Sequence, residues 1–253
     1  MNQRFSNRVV VVTGAAAGLG RVSALAFARE GAHLVLTDLN EPGLQETAAQ
    51  IRQAGAECSI HRFDLASEQE ITDFGARTCA QHPKIHVLYN NAGLHLGEAT
   101  QSVETIGLQK WLHYLTVNSI APLLLAQALR PSLANARGVV LNQSSMASYM
   151  PGTIYGVTKA TLNSLTYGMA CAFGKDGIRV NAIAPGIMET SATKSQMSPE
   201  HYARIQDTQM VKLSGTAEDI ANLALFLASD EARFIDAEIV SCDAGSRIRG
   251  WRG

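Results

Sequence analysis

Tyr155 and Lys159 stand four residues apart. On a helix, positions i and i+4 share a face. An ammonium there sits beside the phenol and favours its ionised form, pulling its pKa toward neutrality. A phenol tuned in this way gives and takes a proton at ordinary pH. Ser144 and Ser145, shortly before, supply hydroxyls able to hold the oxygen that the proton leaves or reaches. Tyr-x-x-x-Lys also occurs by chance on surface helices, so its meaning depends on what accompanies it.

The start of the chain supplies that company. Arg8-Val9-Val10-Val11-Val12 is a β-branched run of the kind that forms a buried parallel strand. Thr13-Gly14-Ala15-Ala16-Ala17-Gly18-Leu19-Gly20 follows, then an apolar-periodic helix ended by Gly31. A glycine-rich turn between strand and helix brings backbone N–H groups up to a pyrophosphate. Gly14, Ala16, Gly18, Leu19 and Gly20 are the candidate contacts; the alternative is a tight turn with no ligand. The next strand, His33–Thr37, ends in Asp38. An acid about 20 residues beyond such a turn bonds a ribose 2′-hydroxyl and repels a 2′-phosphate. Leu39 and Asn40 bring no compensating positive charge, which favours NAD over NADP, and Arg21 is the residue most able to reverse that preference.

Together with Asp64-Leu65, Asn90-Asn91-Ala92-Gly93, Asn118, Ser145, Pro185-Gly186 and Thr190, these residues resemble the short-chain dehydrogenase/reductase family in its one-domain branch. The resemblance spans nearly the whole chain. It implies hydride transfer between a nicotinamide cofactor and a secondary alcohol or ketone. Tyr155 would be the general base or acid, Lys159 would lower its pKa and hold the nicotinamide ribose, and Ser145 would polarise the substrate oxygen. It further implies that Asp64 and Leu65 meet the adenine, that Asn91, Ala92 and Gly93 let the backbone pass close to the cofactor, and that Pro185, Gly186 and Ile187 line its nicotinamide end. Thr190 would hold the carboxamide. Asn90 is expected mostly on the cofactor side, with a structural role beside it.

Asn118 lies inside a long apolar helix, with Pro122 four residues later. Proline has no N–H, so the Asn118 carbonyl loses its helical partner and a kink is expected. A freed carbonyl can hold the water of the family's proton relay; the alternative is a packing kink. Two features depart from the family pattern. Ser145 stands only ten residues before Tyr155, a shortened spacing that leaves Ser144 as a fallback. The ending Asp243-Ala244-Gly245 has alanine where a glycine pair is commoner.

Strands near 57–63, 85–89, 139–142, 178–183 and 238–242 alternate with helices near 41–53, 68–80, 105–133, 153–175 and 217–227. That alternation predicts an α/β fold, a single-domain doubly wound parallel sheet (Rossmann-like) with helices on both faces. Residues 1–253 would form one NAD(P)-binding domain, with 187–215 as a substrate lid. Hydrophobic content of 46%, charge of 17% and a net charge of −1 are ordinary for a globular protein and give no electrostatic case for nucleic acid or membrane as partner. Scattered Cys58, Cys79, Cys171 and Cys242, and no signal-peptide pattern after Met1, make the cytoplasm the expected location. The apolar stretch near 121–129 is too short and interrupted to span a bilayer. No metal-ligand spacing stands out among the seven histidines.

For substrate, His95, Leu96, Met146, Tyr149, Met150 and the segment 187–213, with Met197 and Met210, suggest an apolar or aromatic alcohol or ketone. Lys194, Arg204 and Lys212 are possible readers of an anion. A non-redox enzyme of the same fold, such as a dehydratase or epimerase, and an NAD-sensing binding protein without turnover are the alternatives. Apolar stripes through Leu123, Leu124, Leu125, Ala128 and Leu129, and through Leu162, Leu165, Met169 and Ala172, point to a homotetramer or homodimer. The tail with Arg247, Arg249, Trp251 and Arg252 is expected to dock in that assembly.

Overall fold

A computed structural model describes residues 3–95, 101–190, 193 and 197–251, the side chains of 249–251 excepted. Leu96, Lys194 and Arg252 lie outside the described residues, as do the side chains of Arg249 and Trp251.

Seven parallel strands form one sheet: β1 (Val9–Thr13), β2 (His33–Asp38), β3 (Cys58–Arg62), β4 (Val87–Asn90), β5 (Val139–Gln143), β6 (Arg179–Pro185) and β7 (Ile239–Cys242). Their order is β3-β2-β1-β4-β5-β6-β7, so the winding reverses between β1 and β4. The valine run of β1 explains itself in this setting. Val10 and Val12 pack on the side of α1 (Gly18–Arg29), α2 (Glu41–Gln53) and the late helix Ala217–Ala228, while Val11 packs with α3 (Glu68–Gln81) on the other side. A strand buried on both faces has no polar side to alternate.

The helix expected over 105–133 is α4 (Leu108–Leu115), a five-residue π segment Thr116–Ile120, and α5 (Ala121–Ala136), in one continuous run. Pro122 does not break it. The missing N–H shifts the ladder, and the Ala121 N–H bonds the Thr116 carbonyl five residues back. By length and composition this run, Leu108–Ala136, far longer than the stretch near 121–129, is apolar enough to cross a membrane; half of its apolar 18-residue part is buried inside the fold. Helix α6 (Ile154–Phe173) follows the short 3₁₀ turn Met146–Tyr149. Between β6 and the late helix, the 187–215 segment contains α7 (Pro199–Gln206), capped by Ser198, and the late helix becomes α8 (Ala217–Ala228).

Most of the two apolar stripes belongs to the chain's own core. Leu125, Leu129, Leu162 and Met169 are buried among sheet and helix side chains. Leu108, Leu112, Ile120 and Tyr167 are what this region exposes.

Candidate active site

The site begins where the sheet reverses. In doubly wound sheets this switch point opens a crevice at the carboxyl ends of the strands. Asn91, just past β4, closes the bottom of it: its Nδ2 donates to the carbonyls of Thr13 (3.0 Å) and Gly14 (3.3 Å). The Thr13 hydroxyl in turn accepts from the N–H of Asn91 and of Ala92, both at 3.0 Å. These bonds draw the two strand ends so close that a Cβ on Gly14 would lie 2.8 Å from the Ala92 Cα.

The glycine turn fits a bound pyrophosphate. Gly14 has φ +67 and Gly18 φ +53, a region that favours glycine, and a side chain at Gly20 would strike the Gly14 carbonyl. Gly18, by contrast, faces open space. Ala17 occupies the cap position of α1 without a side-chain acceptor, so the first-turn N–H groups stay available to an anion. Asp38 braces this turn, accepting from the N–H of Ala16 (3.1 Å) and of Asn40 (3.0 Å). Arg21 is turned away to the α2 side. Its guanidinium holds Glu46 at 2.7 Å, the Thr47 hydroxyl at 3.0 Å and the Ala16 carbonyl.

Tyr155 and Lys159 lie one turn apart on α6, whose start is pinned by the Thr153 hydroxyl accepting from the Gly156 N–H at 3.1 Å. The shortened loop lies directly on this turn. A Cβ at Gly156 would come within 2.9 Å of both the Ala147 carbonyl and the Pro151 Cα, so the close fit needs glycine. The two serines have separate partners. Ser144 is buried and donates to Asn163 Oδ1 at 2.6 Å, whereas Ser145 meets the Tyr155 phenol and caps the 3₁₀ turn through the Ala147 N–H at 3.2 Å.

The expected lowering of the Tyr155 pKa is not what the surroundings produce. Burial pushes it up to about 12, and the Ser145 contact pulls the other way. Lys159 donates to the Gln143 carbonyl at 2.6 Å and lies 5.7 Å from the centre of the Tyr155 ring. Burial lowers its own pKa to about 8.

Asn118 stands behind this pair rather than on the cleft wall. Its Oδ1 accepts from the Leu94 N–H (2.7 Å), and its Nδ2 donates to the Leu94 carbonyl (2.9 Å) and the Thr158 hydroxyl (3.0 Å). A Cβ at Gly93 would fall 3.2 Å from Asn118 Oδ1 and 3.3 Å from Lys159 Nζ, so bare backbone is required between them. Asn90, expected mostly toward the cofactor, is buried in a structural relay. It donates to Asn142 Oδ1 at 2.9 Å and the Pro122 carbonyl at 3.3 Å, while Asn142 donates to Thr166 at 2.9 Å. Along a strand successive side chains change face, and Asn90 shares its face with α5 and α6.

A cleft of about 1160 Å³ runs from the glycine turn to Tyr155. Gly14, Gly18, Leu19, Asp38, Leu39, Asp64, Leu65, Asn91, Ala92, Gly93, Ser145, Tyr155, Lys159, Pro185, Gly186, Ile187 and Thr190 all line it. Ala16, Gly20 and Asn118 are buried and do not line it. Of the expected substrate contacts, His95, Met146, Met150 and Met197 line the cleft, and Tyr149 does not. The Tyr149 phenol reaches Ile239 and Ser241 instead, with Arg247 stacked over its ring. Lys212 turns to the Asp207 carbonyl at 2.7 Å, and neither it nor Arg204 reaches the cleft. His113 on α4 and His201 on α7 join the lining without having been anticipated. Single histidines on amphipathic helices carry no signal of their own; Ser198-Pro199-Glu200 before His201 is, however, a helix start.

The family model described as Enoyl-(Acyl carrier protein) reductase matches residues 14–247. The 7alpha-hydroxysteroid dehydrogenase of Escherichia coli (strain K12) is 32% identical over 248 residues, 96% of each chain. The chain belongs to the short-chain dehydrogenase/reductase family. A 2,5-dichloro-2,5-cyclohexadiene-1,4-diol dehydrogenase of Sphingobium indicum is 34% identical over 97% of this chain and 98% of its own. Among solved structures, a 7 alpha-hydroxysteroid dehydrogenase complexed with NADH and 7-oxo glycochenodeoxycholic acid superposes with a TM-score of 0.88 at 31% identity, covering 96% of both chains. As a member of this family, the protein is an oxidoreductase that uses a nicotinamide cofactor.

Proposed function

We propose that the protein is an NAD-dependent alcohol dehydrogenase/ketone reductase acting on a secondary alcohol or ketone carried on an apolar or aromatic frame. The observation that carries this reading is the Tyr155 phenol. It meets the Ser145 hydroxyl at one end of a cleft whose other end is the glycine turn. A bound nicotinamide supplies the hydride acceptor or donor. In the oxidative direction the substrate C–H leaves as hydride, and its O–H proton passes to the Tyr155 oxygen once that phenol has given its own proton to the relay. In reduction the Tyr155 phenol returns that proton to the carbonyl oxygen. Ser145 donates to the same substrate oxygen as charge develops there. Lys159 holds the ribose beside the ring, and Asn118 fixes the Leu94 backbone behind it, where the relay to solvent would run.

Two features favour NAD. Asp38 ends β2 and lines the cleft, the position from which an acid bonds a ribose 2′-hydroxyl and repels a 2′-phosphate. Arg21, the cation best placed in the sequence to accept such a phosphate, is held by Glu46 and Thr47. The two named relatives act on alcohols of ring systems, and Met146, Met150, Ile187 and Met188 give this cleft an apolar wall that suits such a frame. In this reading 187–215 forms the lid, the faces bearing Leu108, Leu112, Ile120 and Tyr167 pair subunits into a dimer or tetramer, and the enzyme works in the cytoplasm. A screen of cyclic and aromatic secondary alcohols with NAD and NADP in parallel, followed by nicotinamide absorbance, tests it. Turnover with NAD on at least one such alcohol is expected. Absence of turnover across the panel, with cofactor bound, would overturn the proposal.

A further inference from the structure

Gln143 occupies an unusual position, at the last residue of β5, where the sheet core meets the cleft. Its main-chain carbonyl takes the Lys159 ammonium. Its side chain leaves the strand on the opposite face from Asn142, the face that carries Tyr89. Tyr89 pairs across the sheet with Leu141, so Gln143 stands one layer nearer the carboxyl ends. The Tyr89 phenol, fully buried, reaches up that one layer and donates to Gln143 Oε1.

A buried carboxamide costs free energy unless both of its ends are served. The Tyr89 bond serves the oxygen and thereby fixes which way the amide points. Among the described residues Nε2 meets no protein acceptor, yet it is not one of the sealed, unpartnered polar atoms. It therefore opens onto the cleft that Gln143 lines.

We propose that Gln143 is a cofactor-contacting residue, held by Tyr89 so that its Nε2–H groups donate to an oxygen on the nicotinamide half of the dinucleotide. The inference rests on the nicotinamide-cofactor reading of the cleft. Its assignment to that half follows from placement: Gln143 adjoins Lys159 and Ser145, while Asp38 and Asp64 line the far end. Tyr89 is a positioning residue that acts through Gln143.

The test is calorimetric titration of the intact protein with NADH and, separately, with ADP, which carries only the adenine half. Gln143→Leu is expected to weaken NADH about fivefold, the effect of one hydrogen bond, and to leave ADP unchanged. Tyr89→Phe is expected to weaken NADH by a smaller factor, because the amide stays but is free to turn. NADH affinity at the wild-type level in Gln143→Leu, or equal losses for NADH and ADP, would overturn the contact. Unchanged NADH affinity in Tyr89→Phe would overturn the positioning role. Where the leucine variant does not fold, Gln143→Glu keeps the acceptor for Tyr89 and replaces the donors with oxygen. Its NADH affinity should fall at least as far, with ADP again unchanged, and wild-type NADH affinity would refute the proposal. Failure of the wild type to bind NADH would instead defeat the cofactor reading.

Discussion

The Lys159 ammonium lies over the Tyr155 ring, 5.7 Å from its centre, and donates a hydrogen bond to the Gln143 carbonyl at 2.6 Å. Burial therefore dominates both groups and moves them in opposite directions, Lys159 down to about 8 and Tyr155 up to about 12. The consequence for stability has a definite sign. Between about pH 8 and the ordinary lysine value, the unfolded chain holds a proton on Lys159 that the native state has released. Stability then rises with pH. Above pH ~10 the raised Tyr155 works against this, because there the native state holds the extra proton. The clean window is pH 8 to 10, with a gain of about 2 kcal/mol. Thermal melts of the wild type and Lys159→Met across it should show the rise in the first and a flatter profile in the second. Parallel profiles would contradict the account.

Asp38 gives a second prediction. Asp38→Ala removes the carboxylate proposed to exclude a 2′-phosphate, and Arg21 stays tied to Glu46. The ratio of kcat/KM for NAD over NADP should fall by about tenfold or more, an electrostatic effect of at least 1.4 kcal/mol. An unchanged ratio would remove Asp38 from the discrimination.

The shortened loop before Tyr155 rests on Gly156. Gly156→Ala places a methyl 2.9 Å from the Ala147 carbonyl, so the turn that begins at Ser145 must move. A displacement of this kind should lower kcat by about tenfold while leaving NADH affinity near wild type. Matching steady-state kinetics in the two proteins would show that the turn yields without moving Ser145.

Ala244 stands where a glycine pair is commoner, and it adopts φ +51. Its carbonyl accepts from the Met210 N–H at 2.8 Å, tying the end of the 187–215 segment to the last strand. A left-handed alanine costs about 1–2 kcal/mol, partly offset because glycine gives the unfolded chain more freedom. Ala244→Gly should therefore raise stability by up to about 1 kcal/mol, read as a higher midpoint in denaturant. A lower midpoint would contradict this.

The sheet was legible because runs such as Val9–Val12 are local and β-branched and are closed by turn residues such as Gly14 after β1, Asp38 in β2 and Asn90 in β4, and the crevice follows from the order of the strands. Other features depend on contacts that sequence spacing does not encode. Pro122 was expected to kink its helix, but neighbouring N–H groups re-bond at the next carbonyl back and the run continues through a π segment. Tyr155 and Lys159 were placed correctly on one helix face. Their pKa values, however, are set by the depth of the surrounding walls rather than by their spacing. Asn90 and Asn91 look alike in sequence, yet strand alternation sends one into the core and leaves the other at the crevice. His113 and His201 reach the cleft only because α4 and α7 fold over it.

The most direct test of the central claim compares wild type with Tyr155→Phe on the same secondary alcohol, following nicotinamide absorbance, with NADH affinity measured alongside. The substitution removes one ionisable oxygen and almost no volume. The account predicts unchanged NADH affinity and a loss of turnover of at least about a hundredfold. Turnover within a few-fold of wild type, with the fold and NADH binding intact, would contradict it.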